Sequence, residues 1–441
     1  MRQKYRTALF FCLWAAYLPS SYAVTPFETV TWDTKNGAHV VFYQAMEVPM
    51  LDISIAFAAG SAYDEEHFGL SALTTRLLNQ GNNGLNANAI AEKLADTGAQ
   101  FGASSSQNMV ALNLRTLTRP DALKTASETF VAIIAHPDFP EDAFDREKKQ
   151  QLMAITQAQE SPDTIANQTF FQVLYKNHPY AHPLIGDRNS VNKLTADQVH
   201  HFYQQYFVST NATIVLVGAI DRASAEALAE QMTKDLPKGN KPAEIPTAEP
   251  LTEELDVEVH FPSSQTILRL GQLGITHHDK NFFPLIVGNY ILGGGSIVSR
   301  LSLELREKRG LTYGVSSQLS PMPGNGPFVI GLSTKTSQTQ TAMGITRDTL
   351  AAFIKTGPNE QELIAAKQYL TGSYPLSLAS NRSIADMLLK IAFFHLPDNY
   401  LQTYTARINA VTVEQIKMTF QQLIKPNKLL QISVGKGERS A

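Results

Sequence analysis

The chain has 441 residues, of which 43% are apolar, and its formal net charge at neutral pH is −3. Its length exceeds the roughly 250 to 300 residues that one hydrophobic core supports, so we expect at least two domains. A weakly acidic chain is a poor match for nucleic acid or for an anionic membrane surface, and we predict neither as the main partner.

The first 23 residues have the pattern of a secretory signal peptide. Three basic residues among the first six precede an apolar run over 8–18, and a small-x-small cleavage pattern ends at Ala23. The run is shorter than the roughly 20 apolar residues of a membrane helix, and no later segment reaches that length. Cys12, the only cysteine, lies inside the run, so the mature chain would contain none, which suits an oxidising compartment. We therefore predict export to the periplasm, with residues 1–23 removed.

Strands and amphipathic helices follow one another in the first half. The segments 30–33 and 40–43 flank an Asn36-Gly37 turn and predict a hairpin, and residues 51–57 continue with the period of two that is typical of a strand. Helical periodicity covers the segments 69–78, 87–95, 122–134 and 141–159. This grouping predicts an α+β fold in which helices cover one face of a mostly antiparallel sheet.

A stretch rich in proline divides the chain at residues 236–251. Its four prolines, one glycine and several charged residues predict a solvated, semi-rigid linker. We place one lobe at 24–235 and the other at 252–441, and we expect proteases to cut first in the linker.

The two halves repeat the same sequence features in the same order, which indicates an internal duplication. Residues 195–199 match 412–416, and with no gap Gly218 matches Gly435. Upstream, a second set repeats: Gly98, Phe101, Gly102 and Ser104 match Gly310, Tyr313, Gly314 and Ser316. We therefore predict two homologous lobes, each a mostly antiparallel sheet covered by helices.

Several local motifs resemble those of the pitrilysin or insulinase-like zinc peptidases, in particular small bacterial members related to mitochondrial processing peptidase. The most specific stretch is 292–313, which contains Leu-Gly-Gly-Gly-Ser and Leu-Arg-Glu-Lys-Arg-Gly-Leu-Thr-Tyr. His178-Pro179-Tyr180 and the Gly69-Leu70 pair also look like landmarks of the first half of that family. The resemblance covers nearly the whole mature chain and implies two lobes that form a clamshell.

Active members of that family carry a His-x-x-Glu-His motif on the helix that opens after the Gly-Leu pair. Histidines at i and i+4 share one helix face and bind Zn²⁺, and the glutamate activates water. Here Ala72 and Arg76 stand in the histidine positions and Thr75 in the glutamate position. The third ligand, a later glutamate, would fall near Met153 and Ala154. The resemblance thus implies that this chain binds no zinc, and zinc is expected in a partner subunit.

Arg306 and Tyr313 match an arginine and a tyrosine that reach the substrate carbonyl in the family. A guanidinium and a phenol are donors that can stabilise developing negative charge. The alternative interpretation makes Arg306 one more solvated charge and Tyr313 a core aromatic residue. Because the duplicated positions in the first half are Leu94 and Phe101, the polar pair occurs only where the family uses it, which favours a substrate-binding role.

The triplet Gly293-Gly294-Gly295 permits close approach of the backbone. It could line the substrate chamber or relieve a tight turn, and the sequence does not decide between the two.

The leading hypothesis is a non-catalytic, peptide-binding subunit of a periplasmic heterodimeric zinc metallopeptidase. Its partners would be a homologous zinc-bearing subunit and a peptide or unfolded protein. The alternative is a stand-alone peptide-binding or structural scaffold without a catalytic role. An enzyme with another nucleophile is disfavoured, because the mature chain has no cysteine and no Gly-x-Ser-x-Gly motif.

Overall fold

The computed structural model describes residues 27–436. The predicted signal peptide, residues 1–23, lies outside the described residues. No helix within 27–436 is both long and apolar enough to cross a membrane.

The first lobe is built on one large mixed sheet and eight helices within the described range. Its strands are β1 (Val30–Asp33), β2 (His39–Gln44), β3 (Met50–Phe57), β4 (Gly81–Asn82), β5 (Leu85–Asn86), β6 (Gln100–Ser105), β7 (Val110–Leu117) and β8 (Ala212–Gly218). Its helices are α1 (Leu70–Leu77), α2 (Ala87–Asp96), α3 (Pro120–Ala135), α4 (Glu141–Ala158), α5 (Pro162–Tyr175), α6 (Arg188–Lys193), α7 (Ala196–Tyr206) and α8 (Arg222–Thr233).

The second lobe, over 252–436, has the same kind of construction. Its strands are β9 (Leu255–His260), β10 (Gln265–Leu273), β11 (Val315–Leu319), β12 (Pro327–Lys335) and β13 (Leu430–Gly435). Its helices are α9 (Phe282–Asn289), α10 (Arg300–Ser302), α11 (Thr339–Thr356), α12 (Glu360–Ser373), α13 (Asn381–Phe393), α14 (Tyr400–Ala410) and α15 (Val413–Leu423). Helix α9 continues into a π-helical turn at Tyr290–Gly294, and α10 into another at Leu303–Glu307.

The two sheets have the same topology. The first has the strand order β1-β2-β8-β3-β7-β6 and the second β11-β12-β10-β13-β9. In each, one parallel pair, β2 with β8 or β13 with β9, joins an otherwise antiparallel arrangement. Five strands therefore correspond one to one, and the predicted α+β fold with two homologous lobes is confirmed.

The helix that precedes the last strand of each sheet begins in the same way. Thr195 caps α7 and Thr412 caps α15, and each forms a reciprocal capping box with a glutamine three residues later. Both helices span 11 residues and lead through a short turn into β8 or β13. The predicted correspondence of 199–218 with 416–435 is thus confirmed.

The lobes exchange one helix each, which the sequence did not predict. Helix α5 of the first half packs through Phe170 and Leu174 on β10 and β13 of the second sheet. Helix α13 of the second half packs through Ile384 and Leu388 on β3 and β8 of the first sheet. Each sheet therefore buries its second face with a helix from the other half of the chain.

Ten of the 16 linker residues are exposed, and three buried residues anchor the segment at its two ends. Leu236, Ala248 and Leu251 are buried. The Pro246 carbonyl accepts a hydrogen bond from His178 Nε2 at 2.8 Å, because the other ring nitrogen accepts the Tyr180 N–H. Residues 240–244, near the middle, are exposed except for the half-buried Pro242.

Candidate functional site

Helix α1, which corresponds to the metal-binding helix of the resembling family, is intact and firmly held. Asp64 accepts hydrogen bonds at 2.7 Å from the Gly69 and Ser71 N–H groups and so caps the helix. Burial raises the pKa of the Asp64 carboxyl to about 8, against the opposing effect of these two bonds. Gly69 has φ 93°, and a Cβ there would lie 2.6 Å from the Ile185 carbonyl oxygen, so only glycine fits.

The three positions of the lost motif lie on α1 as predicted, but they have other contacts. Ala72 is 8% exposed and Thr75 is 5% exposed, and the Thr75 hydroxyl donates to the Ser71 carbonyl at 2.7 Å. Arg76 extends to α4, where its Nη2 lies 3.1 Å from the Glu147 carboxylate and 2.7 Å from Gln150 Oε1. An arginine thus neutralises a buried glutamate where a zinc ion would require an imidazole.

These residues do not fit a zinc ion. Alanine has no donor atom, and the guanidinium of Arg76 stays protonated and is already engaged by Glu147. On α4, Met153 is exposed and Ala154 is partly buried, and neither offers an oxygen or nitrogen ligand from its side chain. Throughout residues 27–436, no three His, Cys, Asp or Glu side chains are grouped so that they could hold a metal ion.

Two residues of α4 connect it to α1 where a metal ion would do so in an active member, and the sequence did not predict them. Glu147, which binds Arg76, lies on α4 six residues before Met153, the expected place of the third ligand. Gln151 donates from Nε2 to the Gly69 and Ile185 carbonyls, both at 2.9 Å. The spacing of Glu147 and Gln151 could have indicated this contact, because residues at i and i+4 share one helix face.

The Arg306 and Tyr313 side chains lie at the two ends of a short segment and reach solvent. The side chain of Arg306 is 41% exposed, and its Nε is 3.5 Å from the Glu307 carboxylate. Tyr313 is 88% exposed, which excludes its interpretation as a core aromatic residue. The corresponding Leu94 is 6% exposed, and Phe101 packs on the core beside the ring of Phe130.

Other charges of this segment are engaged elsewhere. Arg300 forms two hydrogen bonds of 2.7 Å with Glu362 on α12 and lies over the ring of Phe353. Glu304 pairs with Lys308 and Arg309, and these bonds lower the pKa of its carboxyl. The backbone that carries Arg306 is therefore held by neighbours.

The glycine triplet divides into two environments. Gly293 is buried, and a Cβ there would lie 2.5 Å from the backbone nitrogen of Ser317 in β11, so it serves close packing and borders no open space. Gly294 is exposed, and Gly295 donates to the Tyr290 carbonyl at 2.7 Å. The structure therefore favours the tight-packing interpretation for Gly293.

Comparisons with known proteins identify the family and agree with the loss of the metal-binding motif. Residues 40–188 match the family model described as insulinase (peptidase family M16), and 193–370 match the peptidase M16 inactive domain. A non-peptidase homolog, YmxG of Helicobacter pylori, is 26% identical over 382 residues, or 86% of this chain and 87% of the relative.

Solved structures extend the similarity over the whole fold. A crystal structure of a peptidase M16 inactive domain from Pseudomonas fluorescens is 37% identical, with a TM-score of 0.89 over 92% of this chain and 98% of that one. A chain of complex III2 from Candida albicans is 16% identical, with a TM-score of 0.79 over 92% and 96%, and it shares the fold. The chain therefore belongs to peptidase family M16, as a member of the inactive type in which the metal-binding motif is replaced.

Proposed function

We propose that this chain is the non-catalytic, peptide-binding subunit of a periplasmic heterodimeric zinc metallopeptidase. A homologous subunit with the His-x-x-Glu-His helix would hold the zinc ion. This chain would complete the site with Arg306 and Tyr313. Export through the predicted signal at 1–23 is part of the same proposal.

The observation that carries the proposal is the exposure of Tyr313. A tyrosine that is 88% exposed gains little from burial, so its retention at the end of a well-packed segment has no explanation in stability. At the corresponding position of the first lobe, the ring of Phe101 packs on the core. The difference supports a role for the second-lobe pair outside this chain's own core.

The chemistry of the pair suits a peptide at a partner's metal ion. The Arg306 guanidinium and the Tyr313 hydroxyl are donors, and neither is engaged by a strong partner among residues 27–436. Together they can bind a substrate carbonyl and stabilise the oxyanion that forms when water attacks it. The attacking water and its base would belong to the partner.

The test is a reconstitution with the zinc-bearing subunit. Both chains are purified from the periplasmic fraction, and zinc is expected in the partner alone. Arg306→Ala or Tyr313→Phe should leave assembly intact and lower peptide turnover on the order of 100-fold to 1,000-fold, as expected for loss of one oxyanion donor. Lys308→Ala, at the same helix end, is the matched control and should leave turnover unchanged.

Unchanged turnover in both assembled variants would remove the catalytic-support role. The chain would then be better described as a peptide-binding or structural scaffold.

A further inference from the structure

Two cavities flank helix α5, and both are lined by Asn167. The first has a volume of about 450 Å³ and lies between α5 and the strands β10, β11 and β12. The second, of about 320 Å³, lies between α5 and the loop that contains residues 181–185. The two cavities thus adjoin at Asn167 on α5, and we refer to the pair as the groove along α5.

The floor of the first cavity is mainly polar and includes small residues of β11 and β12. Ser316, Gly331 and Arg269 lie directly opposite one another on three adjacent strands and share the face toward α5. The other face of β12 carries Phe328 and Ile330, which belong to the second-lobe core. The cavity lining is thus mainly polar, although Ile267, Val329 and Leu332 also contribute to it.

Arg269 brings hydrogen-bond donors to this floor. It is 8% exposed and lies against Gly331, where a Cβ would be 3.3 Å from its Nη1. Three of its five N–H groups are engaged: Nε by Asn167, Nη1 by the Leu268 carbonyl and Nη2 by Asp163. The remaining N–H group of each Nη has no second partner among residues 27–436, and Arg269 lines the cavity, so these donors can meet an acceptor there.

The charge of the cavity indicates which kind of acceptor these donors can bind. Asp163 already neutralises the guanidinium, so a second carboxylate would bring an uncompensated negative charge. A neutral acceptor such as a peptide carbonyl meets the two free donors without that penalty.

The second cavity is suited to an apolar group. Its walls include Phe171, Ala181, Pro183 and Leu184, and its volume exceeds that of one large side chain. His182 also lines it and is fixed by stacking on Phe68, with ring centroids 4.3 Å apart. Burial lowers the pKa of His182, which favours its neutral form.

The groove connects the two parts of the site described above. Gly314, next to Tyr313, lines the first cavity. Ile185 lines the second, and its carbonyl accepts from Gln151 beside the start of α1. The path therefore runs from the exposed tyrosine of the second lobe to the former metal helix of the first.

We propose that this groove binds an extended, uncharged peptide segment, with a backbone carbonyl at Arg269 and a large apolar side chain among Phe171, Ala181 and Leu184. The proposal deepens the peptide-binding role proposed above and rests on it. It defines the substrate class as a small or polar stretch next to a leucine-like or phenylalanine-like residue.

The experiment measures peptide binding to the isolated full chain by fluorescence anisotropy. The probes are labelled ten-residue peptides of Ser and Gly, blocked at both ends, with one central Leu, Phe or Met. The matched probe has Ser at that position and should bind at least about 10-fold more weakly. Arg269→Gln should weaken binding of the apolar probe about 10-fold to 100-fold, because a charge-assisted hydrogen bond is lost.

Matched variants separate the groove from general effects on the fold. Ala181→Trp fills the second cavity and should abolish the preference for the apolar probe, whereas Ala91→Trp on the exposed face of α2 should not. If Ala181→Trp does not fold, Leu184→Ser, at a residue 36% exposed, tests the same wall. Arg347→Gln, which alters a comparable arginine held by Glu254 and Gln431, controls for Arg269→Gln.

The groove is rejected if none of the apolar probes binds at up to about 1 mM, or if both groove variants bind as the unaltered chain does. This outcome is distinct from failure of the proposed function. Loss of turnover in the Arg306→Ala complex without binding by the isolated chain would retain the subunit role and remove the groove.

Discussion

Leu94 and Phe101 of the first lobe and Arg306 and Tyr313 of the second occupy matching places in a duplicated framework. The framework around them is the same: a helical segment leads into the outermost strand of the sheet, β6 or β11. In the first lobe the pair is apolar and packs on the core, and in the second it is polar and exposed. The two lobes therefore share the topology of their sheets and differ in the side chains that they expose at these two positions.

Helix α1, which carries the metal-binding motif in active members, shows the opposite change: here the first lobe, and not the second, has lost polar functional residues. Helix α1 packs on α7 just as α9 packs on α15, so each occupies the same place in its lobe. The former ligand positions of α1 are now filled by small buried residues and by Arg76, which is bound to Glu147. A catalytic surface in the first lobe has thus become a structural contact.

The largest expected effect comes from separating the halves. Residues 252–441 expressed alone should fail to fold, because α13 would lose the first sheet, against which Ile384 and Leu388 are packed. Co-expression with residues 24–251 should restore a folded complex, measured by circular dichroism and size-exclusion chromatography.

The same exchange of helices changes the expectation for proteolysis. A cut within 240–244 should leave both halves in one particle. Separation of the halves after cutting under native conditions would contradict the exchange of α5 and α13.

Reciprocal substitutions at the matching positions should have very unequal effects. Leu94→Arg would place a charge in the first core and should destabilise the protein by about 4 kcal/mol or more. Arg306→Leu, at an exposed site, should change the free energy of unfolding by less than about 0.5 kcal/mol. Urea titrations of both variants measure these changes. Equal losses of unfolding free energy would contradict a buried position in the first lobe and an exposed one in the second.

The ion pair of Arg76 with Glu147 should contribute moderately to the free energy of unfolding. Arg76→Ala removes one partner of a glutamate whose side chain is 9% exposed and leaves it Arg146 at 3.5 Å. We expect a loss of about 2 kcal/mol in chemical denaturation. Arg222→Ala, which breaks an exposed pair with Glu226, is the control and should cost less than about 1 kcal/mol. Equal losses would mean that the Arg76 contact has no special role.

The smallest effect concerns the two matching helix caps. Thr195→Ala and Thr412→Ala each remove a capping box and should each cost about 1 kcal/mol. Thermal denaturation should give similar shifts for both variants. A shift in only one of them would show that the lobes differ in stability despite their common topology.

Local patterns predicted the elements well, because helix periodicity and caps act over a few residues. The segment predicted at 87–95 is α2, Ala87–Asp96, and the matching segments 195–199 and 412–416 begin the corresponding helices α7 and α15. Duplication and the loss of the motif could also be recognised, since each depends on residue identity and order.

Contacts between distant segments could not be predicted. The pairing of Arg76 with Glu147, the anchoring of Pro246 by His178 and the clasp of Arg269 by Asp163 each join residues far apart in the chain. No periodicity links such positions, and either partner alone looks like an ordinary surface charge. The groove along α5 is lined by the last of these pairs and was missed for the same reason.

The exchange of helices has a consequence for how the chain folds as it is made. The first sheet is complete at β8, yet its Val215 and Val217 face stays uncovered until residues 381–393 follow. At about 5 to 20 residues per second, this delay is on the order of 10 s. During that time an apolar sheet face is open to aggregation, so we expect the nascent chain to need a chaperone until its final quarter is available.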